Sequence, residues 1–209
     1  MKSSAYEFSS RVDHQIEALS TEDYHRRIGR SKRLREELYP LSRLALHLKQ
    51  PGTTVEVEAF EDSGRADGCI RITGFFDSQF EVQVTYAGYG GKDALRDKLL
   101  VSEGVSPCAG EIEREKGSGR IVATMGVVDC DEHVTRIASA VLERFYAKVR
   151  KSYAPGTVLL IAFDEVKLKS RTNWDQLFSA VDGQGGMSDS PFAQVYLFNG
   201  STNELRRAA

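Results

Sequence analysis

The chain has 209 residues, with 28 Lys and Arg against 30 Asp and Glu, a formal net charge of −2 and 41% hydrophobic residues. That length suits one domain, able to bury enough surface to fold without disulfide or metal staples. The ordinary charged fraction argues against wholesale disorder, and near-neutrality excludes a protein that coats nucleic acid by bulk charge, though not one with a local basic patch.

No apolar stretch follows Met1, Lys2 and Ser3, so no secretory signal is read. The longest apolar run, residues 157–163, is far short of the roughly 20 residues that cross a bilayer, which argues against a membrane partner. Cys69, Cys108 and Cys130 are scattered and form no CxxC, so a zinc ribbon and a thioredoxin motif are excluded. They read as buried thiols in a reducing cytoplasm.

The first fifty residues read as helical. Ser20 or Thr21 caps a segment running through Tyr24 toward Leu38, with Glu22 and Asp23 in the first turn, where the helix dipole favours acid. Pro40 kinks or restarts it. Leu41, Leu44, Ala45 and Leu48 form an apolar stripe, and Pro51-Gly52 stops the helix. The period then switches to two. Residues 54–60, 68–74 and 80–86 alternate, with turns at 61–64 and 76–79, which predicts an antiparallel meander.

Gly88, Gly90 and Gly91 end the meander. Residues 92–103 read as a helix, 106–119 as a polar loop or loose hairpin, and 121–128 as a strand. Residues 131–153 carry the strongest helical pattern, with Val134, Ile137, Ala138, Val141, Phe145 and Val149 on one side. Residues 157–163 are apolar throughout, as expected of a strand covered on both faces. A short helix at 173–181, a flexible loop at 183–190 and a last strand at 192–198 follow. This order predicts a single α/β domain, a mixed central β-sheet flanked by helices. It has a helical N-terminal segment (1–50), an α/β core (51–199) and a tail (200–209).

Side chains two apart on a strand share a face. Phe80, Val82, Val84 and Tyr86 therefore point to the core, and Glu81, Gln83 and Thr85 to the opposite, wet side. Asp67 opens the preceding strand, and a short hairpin can bring it close to Glu81. Two carboxylates at one sheet end suit a hard cation such as Mg2+, which can clamp a phosphate and activate water. A plain solvated strand face accounts for Glu81, Gln83 and Thr85 equally well.

Asp67, followed by Glu81-Val82-Gln83 on the third strand of a meander, resembles the PD-(D/E)XK, restriction-endonuclease-like superfamily. There the Asp opens the second core strand, and the Glu and a Lys lie on the third. The resemblance spans roughly residues 34–163 in layout and implies an αβββαβ core with an N-terminal helical extension. It also implies Mg2+- or Mn2+-dependent DNA cleavage, with Asp67, Glu81 and the Val82 carbonyl as metal ligands. Glu37, or Glu36, would add a helix carboxylate. Two positions depart from the pattern: Ala66 stands where Pro is common, and Gln83 stands where Lys is expected. Gln cannot carry a charge but can orient a water as donor and acceptor, and Lys92, Lys98 or Lys148 could supply the cation. A nuclease-fold module that binds nucleic acid or protein without cutting is the alternative. Many members dimerise to cut two strands, so a homodimer is compatible, although no residue marks an interface.

Arg26, Arg27, Arg30, Lys32, Arg33 and Arg35 form the densest basic stretch, with no acid between them. On a helix, residues 26, 30 and 33 share a face. Arg26, Arg30, Lys32 and Arg33, with Lys92 and Lys148, are the candidate contacts to a DNA backbone; a solvated helix face is the competing reading. Lys148, Arg150 and Lys151 also suit the dipole at a helix C-terminus. The glycines before Lys92 fit neither Walker nor Rossmann spacing and read as tight-turn residues. Asp129, Asp131 and Glu132 read as a helix cap and first turn, and Trp174 and Phe178 as core.

Overall fold

The structure, a computed structural model, describes residues 2–61, 66–88, 91–107, 110–126, 130–166, 168–188 and 190–209. Part of the first predicted turn (62–64), Tyr89 and Gly90, Cys108, residues 127–128 and the proposed Asp129 cap lie outside the described residues, as does the Cys130 side chain.

The meander forms as its alternation predicts. β2 (Thr53–Ala59), β3 (Gly68–Gly74) and β4 (Ser78–Tyr86) pair antiparallel, and β1 (Lys2–Ser4), which the sequence did not announce, adds to the β2 edge. β7 (Val158–Phe163) pairs parallel to β4, and β8 (Gln194–Asn199) parallel to β7. The expected tail is instead an edge strand: β9 (Glu204–Arg207) pairs antiparallel with β8, and the Val195 amide donates to the Ala209 carbonyl at 2.8 Å. The mixed sheet therefore has the order β1-β2-β3-β4-β7-β8-β9. The loose hairpin of the polar stretch is β5 (Ile112–Arg114) with β6 (Ile121–Ala123).

Helices cover both faces. On one side, α1 (Ala5–Glu17) and α4 (Tyr39–His47) bury Phe8, Val12, Leu41 and Leu44 against Val57, Ile70, Val82, Val84 and Leu160. On the other, α6 (Cys130–Val149) and α7 (Arg171–Gly183) bury Ile137, Val141, Phe145, Trp174 and Leu177 against Leu159, Ile161, Val195 and Leu197. Every residue of β7 is buried, because consecutive side chains feed opposite cores. α5 (Gly91–Glu103) carries no buried side chain and packs beside the small hairpin.

The helix expected from Tyr24 to Leu38 is broken. α2 (Thr21–Arg26), capped by Ser20, ends at Arg27 in the left-handed region, φ 47°. α3 (Gly29–Arg33) follows, then a π-helical turn at Leu34–Leu38, which leads directly into α4 with Pro40 in its first turn. This broken path covers a notch in the sheet. β2 stops at Ala59 and β3 begins only at Gly68, while β4 runs on beside β7 as far as Tyr86. The π turn packs against β4, and the Arg33 guanidinium donates to the Phe60 carbonyl where β2 ends.

Candidate functional site

Asp67 stands at the inner edge of that notch. Its amide donates to the Val82 carbonyl at 3.0 Å and its carbonyl accepts from Phe60 at 3.0 Å, so the backbone is held by both neighbouring strands. Its side chain closes the end of the ladder. Oδ2 accepts the Val84 amide at 2.7 Å and the Gln83 side-chain amide. Gln83 Nε2 also donates to the Val84 carbonyl at 3.0 Å, which leaves its Oε1 to accept. Gln83 is only 7% exposed. The wet face expected around it is therefore dry at this point.

Glu81 lies on the same sheet face, one pleat back, opposite Cys69. It lines an open cavity of about 330 Å3 with Lys2, Glu58, Cys69, Arg71 and Pro155. Its Oε2 is buried and has no hydrogen-bond partner among the described residues. Val82 points the other way, into the core, and its carbonyl takes the Asp67 amide.

Other elements bring charge to Asp67. Burial pushes its carboxyl above the usual range, while the Val84 amide, Lys148, Gln83 and Arg33 pull in the other direction. Lys148, in the last turn of α6, has its ammonium pushed down by burial and held up by Asp67 and Glu37. Glu37, on the π turn, is raised first by burial and then by Asp67, and pairs with Arg33 at 3.6 Å. Glu36 faces elsewhere: Lys32, Arg27, Arg35 and Asp164 surround it. The π turn thus decides between the two glutamates, and such turns recur at functional sites. Tyr153, which no local signal marks, has its phenol pushed up first by burial and then by Asp67, and packs on Phe192 with ring centroids 5.1 Å apart.

The predicted basic track is not assembled. Arg26 pairs with Glu22, Lys32 with Glu36 at 4.0 Å, and Lys92 with Glu111 at 2.6 Å, while Arg33 is held by Glu37 and Phe60. Arg30 lies apart, lining a shallow surface with α1 residues such as Arg11 and His14. Arg27 and Arg35 turn inward to Asp164, at 3.0 and 3.2 Å, where Tyr86 also donates at 3.0 Å. A Cβ at Gly200 would collide with that carboxylate. The sequence carried one signal for this hub: an acid directly after a fully apolar strand. Of the three lysines proposed to replace the missing charge, Lys148 is the one beside Asp67.

The donor set bears on a metal. Among the described residues no group of three or more His, Cys, Asp or Glu is placed to hold an ion. His133 instead faces the buried Glu165. Glu81 lies opposite Cys69, two residues along from Asp67, and lines a cavity that Asp67 does not; each is the kind of ligand Mg2+ takes, since that ion binds through one or two carboxylates and completes its shell with water and phosphate oxygens. No helix among the described residues is long and apolar enough to cross a membrane. In comparisons with known proteins, the chain matches no family model, no curated protein and no solved structure.

Proposed function

We propose that this protein is a Mg2+- or Mn2+-dependent phosphodiesterase acting on DNA, of the restriction-endonuclease-like kind that Asp67 and Glu81-Val82-Gln83 resemble. The carrying observation is the hydrogen-bonded Asp67–Gln83 pair, with Lys148 and Glu37 beside it and the orphaned Glu81 oxygen on the same sheet face. The resemblance assigns the helix after the meander, 92–103, to the αβββαβ layout; α5 buries no side chain, and the layout is supported only if α6 takes that place in the order α4, β2, β3, β4, α6, β7.

Asp67 and Glu81 would hold the cation, which supplies Lewis-acid stabilisation of the phosphate and a more acidic water. Gln83, fixed by Asp67 and Val84, presents its Oε1 to orient that water. Lys148 places the positive charge that the usual lysine would have placed from position 83. Glu37 adds a carboxylate from the π turn, and burial followed by the nearby Asp67 holds its proton more tightly than an ordinary carboxylate would.

The test is cleavage of plasmid and single-stranded DNA in Mg2+ and in Mn2+, with metal binding followed by calorimetry. Glu81→Ala and Asp67→Ala are expected to cut roughly 10²–10³-fold more slowly. Wild type that neither cuts nor binds metal removes the enzyme reading. Metal or DNA binding without cleavage favours the inactive nuclease-fold module, for which Gln83 in place of Lys is the specific observation.

A further inference from the structure

Lys148, the α6 lysine among the candidate backbone contacts, stands among further cations near the end of the same helix. Arg144, Arg150 and Lys151 stand in no ion pair among the described residues. Arg144 and Lys151 are close enough to Lys148 to depress its ammonium. Arg144 and Lys148 are one turn apart on α6, roughly 6 Å of rise, on the side that leads to Asp67. The acids facing them are Asp67 and Glu37, against Lys148, and the exposed Glu143 beside Arg144. The dipole accounts for cations in the last turn, but its effect fades within one turn and does not reach Arg144. From Arg144 a cleft of about 610 Å3 continues past Ser139 to Arg136 and Lys92, but there Glu132 and Glu111 pair with those two cations, so the unpaired positive face ends at Arg144. Like charges crowded on one helix face repel, and a phosphate chain would relieve them.

We propose that the phosphodiester backbone of the substrate docks on this C-terminal face of α6, through Arg144, Lys148 and Lys151, and not on α2 and α3. The inference rests on the phosphodiesterase reading for the identity of the partner. It places the strand so that its next phosphate meets Asp67 and Glu81.

The test is fluorescence anisotropy of labelled single-stranded and duplex DNA in EDTA, over a salt series. Arg144→Gln with Lys151→Gln should weaken binding more than about tenfold at ~0.1 M salt and lower the slope of log K against log salt by about 1.4–1.8, for two lost contacts. Arg26→Gln with Lys32→Gln should leave the slope unchanged. Circular dichroism checks that each variant is folded. The proposal is overturned if the wild type does not bind, if the α6 variant keeps its slope, or if the α2–α3 variant loses it. Cleavage without this salt signature removes the surface and spares the phosphodiesterase. The signature without cleavage in Mg2+ or Mn2+ removes the phosphodiesterase and leaves α6 as the face of a binding module.

Discussion

Asp67 and Asp164 are both half-buried carboxylates, and both organise the end of a strand next to the N-terminal helices. Their partners differ in charge. Asp164 receives two guanidinium groups and a phenol, and those guanidiniums also lie over aromatic rings, Arg27 on Tyr86 at 4.8 Å and Arg35 on Tyr24 at 3.8 Å. Asp67 receives two neutral donors, an amide N–H and a carboxamide, and its cations stand further off. The first carboxylate is neutralised within the fold and pins the end of α2 and the π turn to the end of β7. The second keeps an unbalanced charge facing a notch, beside the unpartnered Glu81 oxygen. A group left in that condition is a candidate for function rather than for stability.

The largest effect that tests this contrast is on folding. Asp164→Ala removes the acceptor shared by two guanidiniums that are 17% and 11% exposed, leaving Arg27 to Asp97 and Arg35 to the Tyr24 carbonyl, and should cost about 2 kcal/mol in urea unfolding. A loss under about 1 kcal/mol would make the hub an ordinary surface pair.

Asp67→Asn should act in the opposite sense. Asp67 and Glu37 are both held above the ordinary carboxylate range, chiefly by burial. Each binds its proton more tightly folded than unfolded. The stability they contribute is therefore complete below about pH 4 and is lost as pH rises through the raised values. Asn keeps an acceptor for the Val84 amide and removes the charge. The melting temperature at pH 7 should rise by a few degrees and the acid limb of the pH–stability curve should flatten, while cleavage is lost. A fall in melting temperature would place Asp67 with Asp164, as a structural acceptor.

The smallest effect belongs to the surface pairs. Lys92 and Glu111 are 50% and 77% exposed, so Lys92→Ala should leave the urea-unfolding midpoint where it is in wild type. A lower midpoint would mean that the α5–hairpin unit is held by charge instead of by its apolar contacts.

Much of the fold was legible because its signals are local. Strict alternation specified β2, β3 and β4, and the apolar run specified β7. The stripe from Val134 to Val149 specified α6, and Ser20 announced the cap of α2. β9 was missed because Glu204-Leu-Arg-Arg207 is short and polar, an edge strand held by pairing with β8 and not by burial. The helix through Arg27 was overextended because nothing local marks an arginine for the left-handed region; the pull of Asp97 and Asp164 on its guanidinium comes from elements far along the chain.

By itself the sequence determined the strand that carries Glu81, Val82 and Gln83, the face each one takes, and Asp67 as the residue that opens β3, because a pleated backbone alternates its side chains whatever surrounds it. Tertiary structure alone decided which charges meet. It turned Arg27 and Arg35 inward onto Asp164, set Glu37 and not Glu36 beside Asp67 through a π turn, and carried Lys148 from the end of α6 to Asp67. Residues separated by dozens of positions become neighbours only when helices pack across a sheet, and the near-neutral charge of the whole chain conceals where each charge is used.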